Sequence, residues 1–413
     1  MIHLPNMLLI GSADRNIGKT ELACSVLRHF TPQGRLAGLK VTAIRERGGA
    51  CPRGGEGCGV CAALEGEYLL TEESQGDPAK DTGRLKAAGA RPVYWLRALV
   101  ESLEPAMEAA LGELDPRLPV ICESNSLRRV VEPGLFLMVE RAGTGPQGNE
   151  HPGAATTKES AAAVWHWADR VVTVRPGAGA SGQGEASICG LDLADLSLAG
   201  RRGATPAWAL REDAGAIVMA GGQSRRMGRD KARLPVHGRP LIEHVCDQLR
   251  PRFRQILISA ARDDGYGIPG ASVVVDPVAG QGPLHGMAAA LRASQHDTNL
   301  VIACDIPQVD AGLLRHMLRL APGRDCVVPR TAAGHSEPLF AIYRRSALEG
   351  IDAVLRSGSR RVRDVHDRCD TCYVDLAPGR EPTNLNTPDE YRRYLDRATH
   401  SGTPESAVAP PPG

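Results

Sequence analysis

The sequence predicts an α/β fold with two domains. Short apolar runs typical of buried strands alternate with segments whose apolar residues recur at helical spacing, which indicates mainly parallel sheets. Two of the runs end in glycine-rich loops with basic residues, one after residue 10 and the other after residue 219. A stretch with Gly, Arg and Pro lies between them, so we expect domains at 1–198 and 213–398, a linker at 199–212 and a disordered tail at 399–413.

Composition narrows the class of protein. The 413 residues carry 49 Lys and Arg against 48 Asp and Glu, and aromatic residues make up only 4%. This balance argues against nucleic-acid and anionic-membrane binding. No apolar run reaches the length of a membrane span and the first residues lack a basic signal-peptide start, so we expect a cytoplasmic protein. Eleven cysteines in such a chain favour reduced thiols or a metal site over a disulfide framework.

The first glycine loop contains a Gly-Lys-Thr sequence. Residues 7–10 form an apolar strand candidate, Gly18, Lys19 and Thr20 follow, and a segment with helical spacing comes next. In a P-loop the lysine reaches the β- and γ-phosphates of a nucleotide and the hydroxyl holds Mg²⁺. The first glycine of the strict pattern falls on Ala13, so a chance Gly-Lys-Thr is the alternative.

The rest of the first domain continues the same rhythm. We predict strands at 35–44, 92–96, 119–124, 135–139 and 170–174, with helices near 97–112 and 158–168. Glu123 ends one of these strands, at the edge where parallel sheets bind ligands, and could orient Mg²⁺ or water. A capping or solvated carboxylate is an equally good interpretation.

Cys51, Cys58 and Cys61 lie on a short glycine-rich stretch of the first domain. Thiolates spaced in this way can ligate Zn²⁺ or an Fe–S cluster. A fourth ligand is not evident nearby, so a flexible insertion with free thiols is the competing interpretation.

The second glycine loop follows an apolar strand at 216–219. It contains Gly221 and Gly222, and then Arg226 and Lys231. Glycines let backbone N–H groups approach an anion, and the basic side chains add positive charge. The lysine position differs from that of a Walker A loop, and the glycine spacing differs from the dinucleotide fingerprint. The pattern therefore predicts a polyphosphate site, with a basic surface turn as the alternative.

Two aspartates follow strands in the second domain. Asp276 follows the apolar run 272–275 and Asp305 follows 300–303, which places both carboxylates at the carboxyl edge of a parallel sheet. Mg²⁺ prefers oxygen ligands, commonly one or two carboxylates plus substrate phosphates. A lone aspartate after a strand is also a common helix cap or turn former.

The second domain resembles the molybdenum cofactor guanylyltransferases across residues 213–398. The resemblance lies in four segments: Ala220-Gly221-Gly222-x-Ser224-x-Arg226-Met227-Gly228-x-Asp230-Lys231, Gly282-Pro283-Leu284-x-Gly286, Cys304-Asp305-x-Pro307 and Asn384-x-Asn386-Thr387-Pro388. It implies a Rossmann-like nucleotidyltransferase domain of the nucleotide-diphospho-sugar transferase type. The implied reaction transfers GMP from GTP to molybdopterin with Mg²⁺ and releases pyrophosphate.

The same resemblance implies roles for individual residues. Lys231, Asp305 and Arg226 are the implied catalytic residues, Asp305 is the implied Mg²⁺ ligand, and Asn384 and Asn386 are implied to bind the cofactor. The implied nucleotide contacts are Met219, Ala220, Gly221, Gly222, Lys231, Asp276 and Asp305. Two departures, serine for asparagine at 259 and the unusual His285, make the base preference and affinity less secure than the fold, and methionine for leucine at 219 is a mild departure.

The first domain resembles the P-loop adapter protein of molybdopterin-guanine dinucleotide synthesis. The matching parts are the Gly-Lys-Thr loop, Gly38-Leu39-Lys40, the stretch Asp81 to Ala90, and Val120-x-x-Glu123. This resemblance implies a domain with a P-loop NTPase-like parallel sheet that binds GTP and assists the transfer. The implied partners are GTP, molybdopterin, and molybdenum-enzyme apoproteins or their chaperones.

Three alternative functions remain for the whole chain: a molybdenum cofactor cytidylyltransferase, another sugar or cofactor nucleotidyltransferase, and a non-catalytic protein that escorts the cofactor.

Overall fold

The chain forms two units, Met1–Leu210 and Arg211–Gly413, in a computed structural model. The structure describes residues 1–14, 16–45, 64–140, 159–175, 187–199, 205–220, 230–236, 238–263, 266–278 and 280–400. None of the described helices is both long and apolar enough to span a membrane.

The first unit alternates strands with helices, as its sequence rhythm predicts. Its strands are β1 (Ile2–Ser12), β2 (Ala37–Ile44), β3 (Tyr68–Glu72), β4 (Val93–Leu99), β5 (Val120–Glu123), β6 (Val131–Glu140), β7 (Arg170–Arg175), β8 (Ser187–Cys189), β9 (Leu196–Ala199) and β10 (Ala207–Leu210). Its α-helices are α1 (Lys19–Phe30), α2 (Asp81–Ala87), α3 (Leu103–Glu113) and α4 (Glu159–Ala162).

The first sheet has the order β3-β4-β2-β5-β1-β6-β7-β8. Its six central strands run parallel, whereas β3 and β8 join the two edges antiparallel. The apolar run Met7–Ile10 is fully buried because both faces of the sheet are covered. Leu8 packs in one cluster with Leu22 of α1, and Leu9 packs in the other with Met107 of α3. This mixed, mainly parallel sheet agrees with the predicted α/β class.

The structure differs from the predicted linker at 199–212. Residues 207–210 form β10, which pairs antiparallel with β9 in the register Ala207↔Ala199. Trp208 is buried in the core of the first unit, where its ring meets Phe30 edge-to-face with centroids 4.9 Å apart. The second unit's first strand then begins at Glu212. A four-residue strand offers too few positions for its alternation to be recognised in the sequence.

Two predicted helices of the first unit are also shorter than expected. The helix predicted near 97–112 begins at Leu103 because residues 97–99 continue β4. The helix predicted near 158–168 ends at Ala162, and a 3₁₀ turn at Trp165–Trp167 follows it.

The second unit also has an α/β fold, in which helices cover both faces of a sheet. Its strands are β11 (Glu212–Met219), β12 (Pro235–Val236), β13 (Arg239–Pro240), β14 (Phe253–Ala260), β15 (Ser272–Val275), β16 (Thr298–Ala303), β17 (Cys326–Arg330), β18 (Phe340–Arg344) and β19 (Thr371–Asp375). Its α-helices are α5 (Leu241–Leu249), α6 (Pro283–Ala293), α7 (Ala311–Leu320), α8 (Ala347–Arg356), α9 (Arg363–His366) and α10 (Pro388–His400).

The main sheet of the second unit has the order β15-β14-β11-β16-β18-β17-β19. The first four strands are parallel, and β18 runs antiparallel to β16. Side chains of α5 and α7 pack on one face and those of α6, α8 and α9 on the other. The carboxyl ends of β11, β14, β15 and β16 therefore meet at one edge, together with the amino end of β18. This is the edge where such sheets bind ligands.

Candidate functional site

Lys231 links three segments at the carboxyl edge of the second sheet. Its Nζ donates hydrogen bonds to Asp305 Oδ2 and to Asn386 Oδ1, both at 2.9 Å. The side chains of Lys231 and Asp305 are each only 18% exposed. In this partly buried setting the attraction between the two charges is stronger than it would be in open solvent. Three residues that lie far apart in the sequence thus share one cleft.

The sheet fixes the position of Asp305. The backbone N–H of Cys304 donates to Met219 O at 3.1 Å, which ties the end of β16 to the end of β11. Asp305 follows directly, and its carbonyl oxygen accepts a hydrogen bond from Leu385 N at 2.9 Å. Because Leu385 lies between Asn384 and Asn386, this bond holds both asparagines beside the carboxylate.

A capping box at the start of α10 orients Asn386. The Glu390 carboxylate accepts hydrogen bonds from Asn386 N at 2.7 Å and Thr387 N at 2.8 Å. Thr387 Oγ1 accepts one from Glu390 N in return, at 3.2 Å. The bond from Asn386 N lowers the pKa of Glu390, with a further contribution from Thr387 N. The Asn-Thr-Pro sequence therefore acts as a helix start that aims Asn386 at Lys231.

The cleft at this edge has a volume of about 360 Å³. Predicted site residues line it: Met219, Ala220, Lys231, Asp305, Asn384 and Asn386. Cys304 also lines it, and burial raises the pKa of its thiol to about 12. This thiol stays protonated at neutral pH, so it is not a nucleophile. The site is suited to binding and orienting an anionic ligand rather than to covalent catalysis.

Asp276 lies at the end of β15 and is not part of that lining. Its Oδ1 accepts a hydrogen bond from Val278 N at 2.9 Å. A Cβ on Gly286 would lie 3.4 Å from Asp276 Oδ2 and 2.5 Å from Ser259 Oγ, so only glycine permits this close approach of α6 to the sheet edge. Asp276 and Ser259 therefore form a second polar group at the same edge, beside β14.

Several predicted site residues lie outside the described part of the chain. These are Gly221, Gly222 and Arg226 of the second glycine loop, and Cys51, Cys58 and Cys61 of the first unit. Their predicted roles in phosphate binding and in Zn²⁺ or Fe–S ligation stay predictions.

Glu337 is a residue of the cleft that the sequence analysis missed. It lies three residues before β18 and lines the cleft with Pro338 and Leu339. Burial raises the pKa of its carboxyl group. Asp276 and Asp305 were identified because they follow apolar strands, whereas Glu337 lies before its strand, so the same signal could not identify it.

In the first unit, the Gly-Lys-Thr loop joins β1 to α1. Gly18 has φ of +103°, and Lys19 and Thr20 begin the helix. Thr20 Oγ1 lies 3.1 Å from Glu123 Oε2 and 3.3 Å from Asp81 Oδ1, and Asp81 also pairs with Lys40. Strand, loop and helix follow one another as the motif requires, and oxygen atoms of three side chains converge beside the helix start.

Glu123 is the most deeply buried of these groups. Burial raises the pKa of its carboxyl group, and Lys40 and Lys19 partly oppose that shift. Its Oε1 atom is buried and accepts no hydrogen bond within the described residues. An orphaned carboxylate oxygen beside a threonine hydroxyl is a suitable donor for a hard cation such as Mg²⁺.

In the ranges that the structure describes, no group of three or more His, Cys, Asp and Glu side chains could hold a metal ion. Mg²⁺ does not require such a cluster, because it is commonly bound by one or two carboxylates together with substrate phosphates and water. The Asp305 carboxylate, at the wall of the cleft, fits that donor set.

Comparisons with known proteins show which family the second unit resembles. Residues 216–371 match the family model of the MobA-like NTP transferase domain. A probable molybdenum cofactor guanylyltransferase of Pelotomaculum thermopropionicum is 34% identical over 194 residues, which cover 45% of this chain and 94% of that protein. The molybdenum cofactor guanylyltransferase of Vibrio parahaemolyticus is 31% identical over 181 residues, which cover 43% and 93%.

A solved structure is also similar to part of the chain. Molybdopterin-guanine dinucleotide biosynthesis protein A from Archaeoglobus fulgidus is 26% identical and has a TM-score of 0.40. The match covers 45% of this chain and 99% of that one.

Proposed function

Since this chain belongs, through its MobA-like NTP transferase domain, to the molybdenum cofactor guanylyltransferase family and is a nucleotidyltransferase, we propose that it transfers GMP from GTP to molybdopterin and releases pyrophosphate. The observation that carries this proposal is the cleft in which Lys231 Nζ lies 2.9 Å from both Asp305 and Asn386. The ammonium group of Lys231, the Asp305 carboxylate and the Asn386 amide line a space of about 360 Å³, which is large enough for a ligand.

The proposed reaction needs orientation and charge neutralisation more than proton transfer. An oxygen of the terminal phosphate of molybdopterin attacks the α-phosphorus of GTP, a new P–O bond forms, and the bond to the β-phosphate oxygen breaks. A phosphate monoester has a second pKa near ~6, so this nucleophile is already largely ionised at neutral pH. No general base is needed, and the protonated Cys304 thiol supplies none. Lys231 offsets the negative charge that develops on the phosphate oxygens.

Asp305 is the residue that would hold Mg²⁺ in this reaction. A bound Mg²⁺ ion would neutralise part of the triphosphate charge and so make the approach of a second anion less costly. Lys231 already pairs with Asp305, so the same lysine can contribute a phosphate contact when the carboxylate is engaged by an ion. Asn386 keeps the lysine directed into the cleft in either case.

The test of this reaction compares nucleotides under one set of conditions. Pyrophosphate release is measured with purified full-length protein, Mg²⁺, molybdopterin, and GTP, CTP or UTP in turn. We expect release with GTP and at least about tenfold less with CTP or UTP. Preference for CTP would instead support a cytidylyltransferase, and binding of molybdopterin without release from any nucleotide would support an escort protein. The Asp305→Asn variant, which keeps the size of the side chain, should lose the Mg²⁺-dependent rate.

For the first unit we propose GTP binding at Gly18, Lys19 and Thr20, with Mg²⁺ held beside Thr20. The support is the helix start at Lys19, whose N-terminal dipole favours a phosphate, and the orphaned Oε1 atom of the buried Glu123. This unit would assist the transfer by handling nucleotide and cofactor and would not carry out the chemistry.

Binding stoichiometry tests the role of the first unit. Equilibrium dialysis of GTP with the full-length protein should give two sites per chain, and Lys19→Ala should remove one of them. Lys80→Ala is the matched control, because Lys80 is 62% exposed and lies outside the loop. If the Lys19→Ala variant still binds two GTP molecules per chain, the proposal is wrong.

A further inference from the structure

Glu337 occupies the wall of the second unit's cleft, and no residue in the described part of the chain pairs with its carboxylate. Its backbone is fixed on two sides: Glu337 N donates to Pro329 O at 2.8 Å, and Phe340 N donates to Glu337 O at 3.1 Å. Within the described chain, however, its side chain makes no hydrogen bond and no ion pair. A rigidly held, half-buried carboxylate that lines a cleft and is unpaired is an acceptor available to a ligand.

The cleft that Glu337 lines has apolar as well as polar walls. Its apolar lining residues include Pro283, Ile306, Pro338 and Leu339. Burial raises the pKa of the carboxyl group, and the nearby charges of Arg363 and His335 oppose that shift only in part. A ligand that donates hydrogen bonds to the carboxylate would offset the cost of burying its charge.

The strand order places Glu337 beside the carboxyl end of β16. It precedes β18, which pairs with β16 in the register Ile302↔Phe340. The polar group at Asp276 and Ser259 lies on the opposite side of β11, at the ends of β15 and β14. Glu337 therefore lies away from Asp276, an implied nucleotide contact, and lines the cleft together with Asn384 and Asn386, which are implied to bind the cofactor.

We propose that Glu337 is a specificity-determining residue that recognises the 2-amino-4-oxopyrimidine edge of the pterin in the acceptor. That edge presents a ring N–H beside an exocyclic NH₂ group, a pair of donors with the spacing of a carboxylate's two oxygens. An ionised carboxylate only accepts hydrogen bonds, so both contacts are satisfied at once. This inference rests on the proposed function for its ligand. Guanine carries the same edge, but Glu337 lines the cleft with Asn384 and Asn386, which are implied to bind the cofactor, and this favours the pterin.

Glu337→Gln is the discriminating substitution, because it keeps size and shape but turns one acceptor into a donor. That donor would face a donor of the ligand, a mismatch that leaves buried polar groups unpaired. Glu381→Gln is the matched control: Glu381 is exposed, close enough to influence Glu337, and not part of the cleft lining. Glu337→Asp retains the carboxylate with a shorter reach and serves if the glutamine variant does not fold.

The experiment measures two quantities with the full-length protein. The first is the Kd of molybdopterin in equilibrium dialysis without nucleotide. The second is the KM of molybdopterin, GTP and ITP in pyrophosphate release, where ITP lacks the exocyclic amino group of guanine. We expect Glu337→Gln to raise the Kd and KM of molybdopterin at least about tenfold. The ratio of the KM values for GTP and ITP should stay unchanged in this variant. Glu381→Gln should have the same Kd and KM values as the unaltered protein, and those of Glu337→Asp should be intermediate.

Two results would overturn the inference. One is an unchanged Kd for molybdopterin in Glu337→Gln. The other is a collapse of the GTP to ITP preference in that variant, which would show that the carboxylate recognises guanine. Failure of the unaltered protein to release pyrophosphate would contradict the proposed reaction instead, and the dialysis measurement would still decide the role of Glu337.

Discussion

Lys231 is the residue whose loss should be most informative, because its two hydrogen bonds join the second glycine loop to β16 and α10. Replacement with methionine keeps the length of the side chain and removes the charge. We expect turnover of pyrophosphate release to fall by about 10²–10³, the usual effect of removing one preorganised donor from developing negative charge. The thermal midpoint should shift by less than about 4 °C, because water in the open cleft can hydrate the partly exposed Asp305 carboxylate once the lysine charge is removed.

Arg324→Met is the matched control for Lys231→Met. Arg324 is a half-exposed cation of the same unit that pairs with Asp370 at 2.9 Å, away from the cleft. Arg324→Met should change turnover by less than about twofold relative to the unaltered protein, because substitutions at exposed positions usually have small effects. Equal turnover in the two variants would remove Lys231 from the catalytic role.

A second prediction at residue scale concerns His366, which lies under β18 and β19. Its Nε2 is 3.0 Å from Tyr343 Oη, and burial lowers its pKa from 6.5 to about 4. Between these two pH values the unfolded chain binds a proton at His366 that the folded chain does not. Protonation of His366 therefore lowers the free energy of unfolding as pH falls from 6.5 toward 4. Between pH 7 and pH 5 we expect the free energy of unfolding to fall by about 2 kcal/mol.

Urea unfolding at pH 7 and pH 5 measures this effect. In His366→Asn the difference between the two free energies of unfolding should shrink by about 2 kcal/mol. In His335→Asn, which alters an exposed histidine of the same unit, the difference should not change. A His366→Asn variant with the full pH dependence would show that another group causes it.

The sequence indicated those site residues whose signal is local. Asp305 directly follows an apolar strand, and the turn that carries Asn384 and Asn386 precedes a helix, so both patterns can be recognised without the fold. Glu337 and Glu390 could not be found in this way. The importance of Glu337 depends on the antiparallel entry of β18 beside β16, and that of Glu390 on a bond back to Asn386.

At the scale of elements, the turn between β1 and α1 depends on Gly18. With φ of +103°, this residue has a conformation that side chains disfavour, and a Cβ would lie 2.7 Å from Val174 Cβ and Cγ1. We expect Gly18→Ala to lower the free energy of unfolding of the first unit by about 2–4 kcal/mol, from backbone strain and overpacking. Denaturant unfolding followed by far-UV circular dichroism measures this.

Gly112→Ala provides the opposite control. Gly112 lies in α3, and a Cβ there would meet no atom within 4 Å. Alanine should therefore raise stability by about 0.5–1 kcal/mol through helix propensity. Similar destabilisation in both variants would mean that the turn geometry at Gly18 is not the cause.

The limits of sequence-based prediction also depend on where each segment is buried. Apolar runs such as Met7–Ile10, at the centre of a sheet, identified their strands because burial on both faces leaves no polar position. The short β10 was assigned to the linker, since its Trp208 is buried only through contacts with Phe30 and other distant residues. Tertiary packing, which the local pattern does not contain, decides such segments.

At the scale of the whole molecule, each unit has hydrophobic clusters on the faces of its own sheet. In the second unit one cluster includes Val245 and Leu314, and the other includes Met287 and Ile351. The family model lies entirely within this unit. Relatives that match 43–45% of this chain are themselves covered over 93–94% of their length, so proteins of that size suffice for the fold.

We therefore predict that residues 211–413 fold and act without the first unit. The fragment should show one cooperative thermal transition, because its cores are internally complete, and its kcat for pyrophosphate release with GTP and molybdopterin should lie within about threefold of the full chain. Lys231→Met introduced into the fragment should lower that release by about 10²–10³, as in the full chain, which ties the activity to the described cleft. A fragment that folds but transfers at least about tenfold more slowly would show that the first unit contributes to the chemistry and not only to handling GTP.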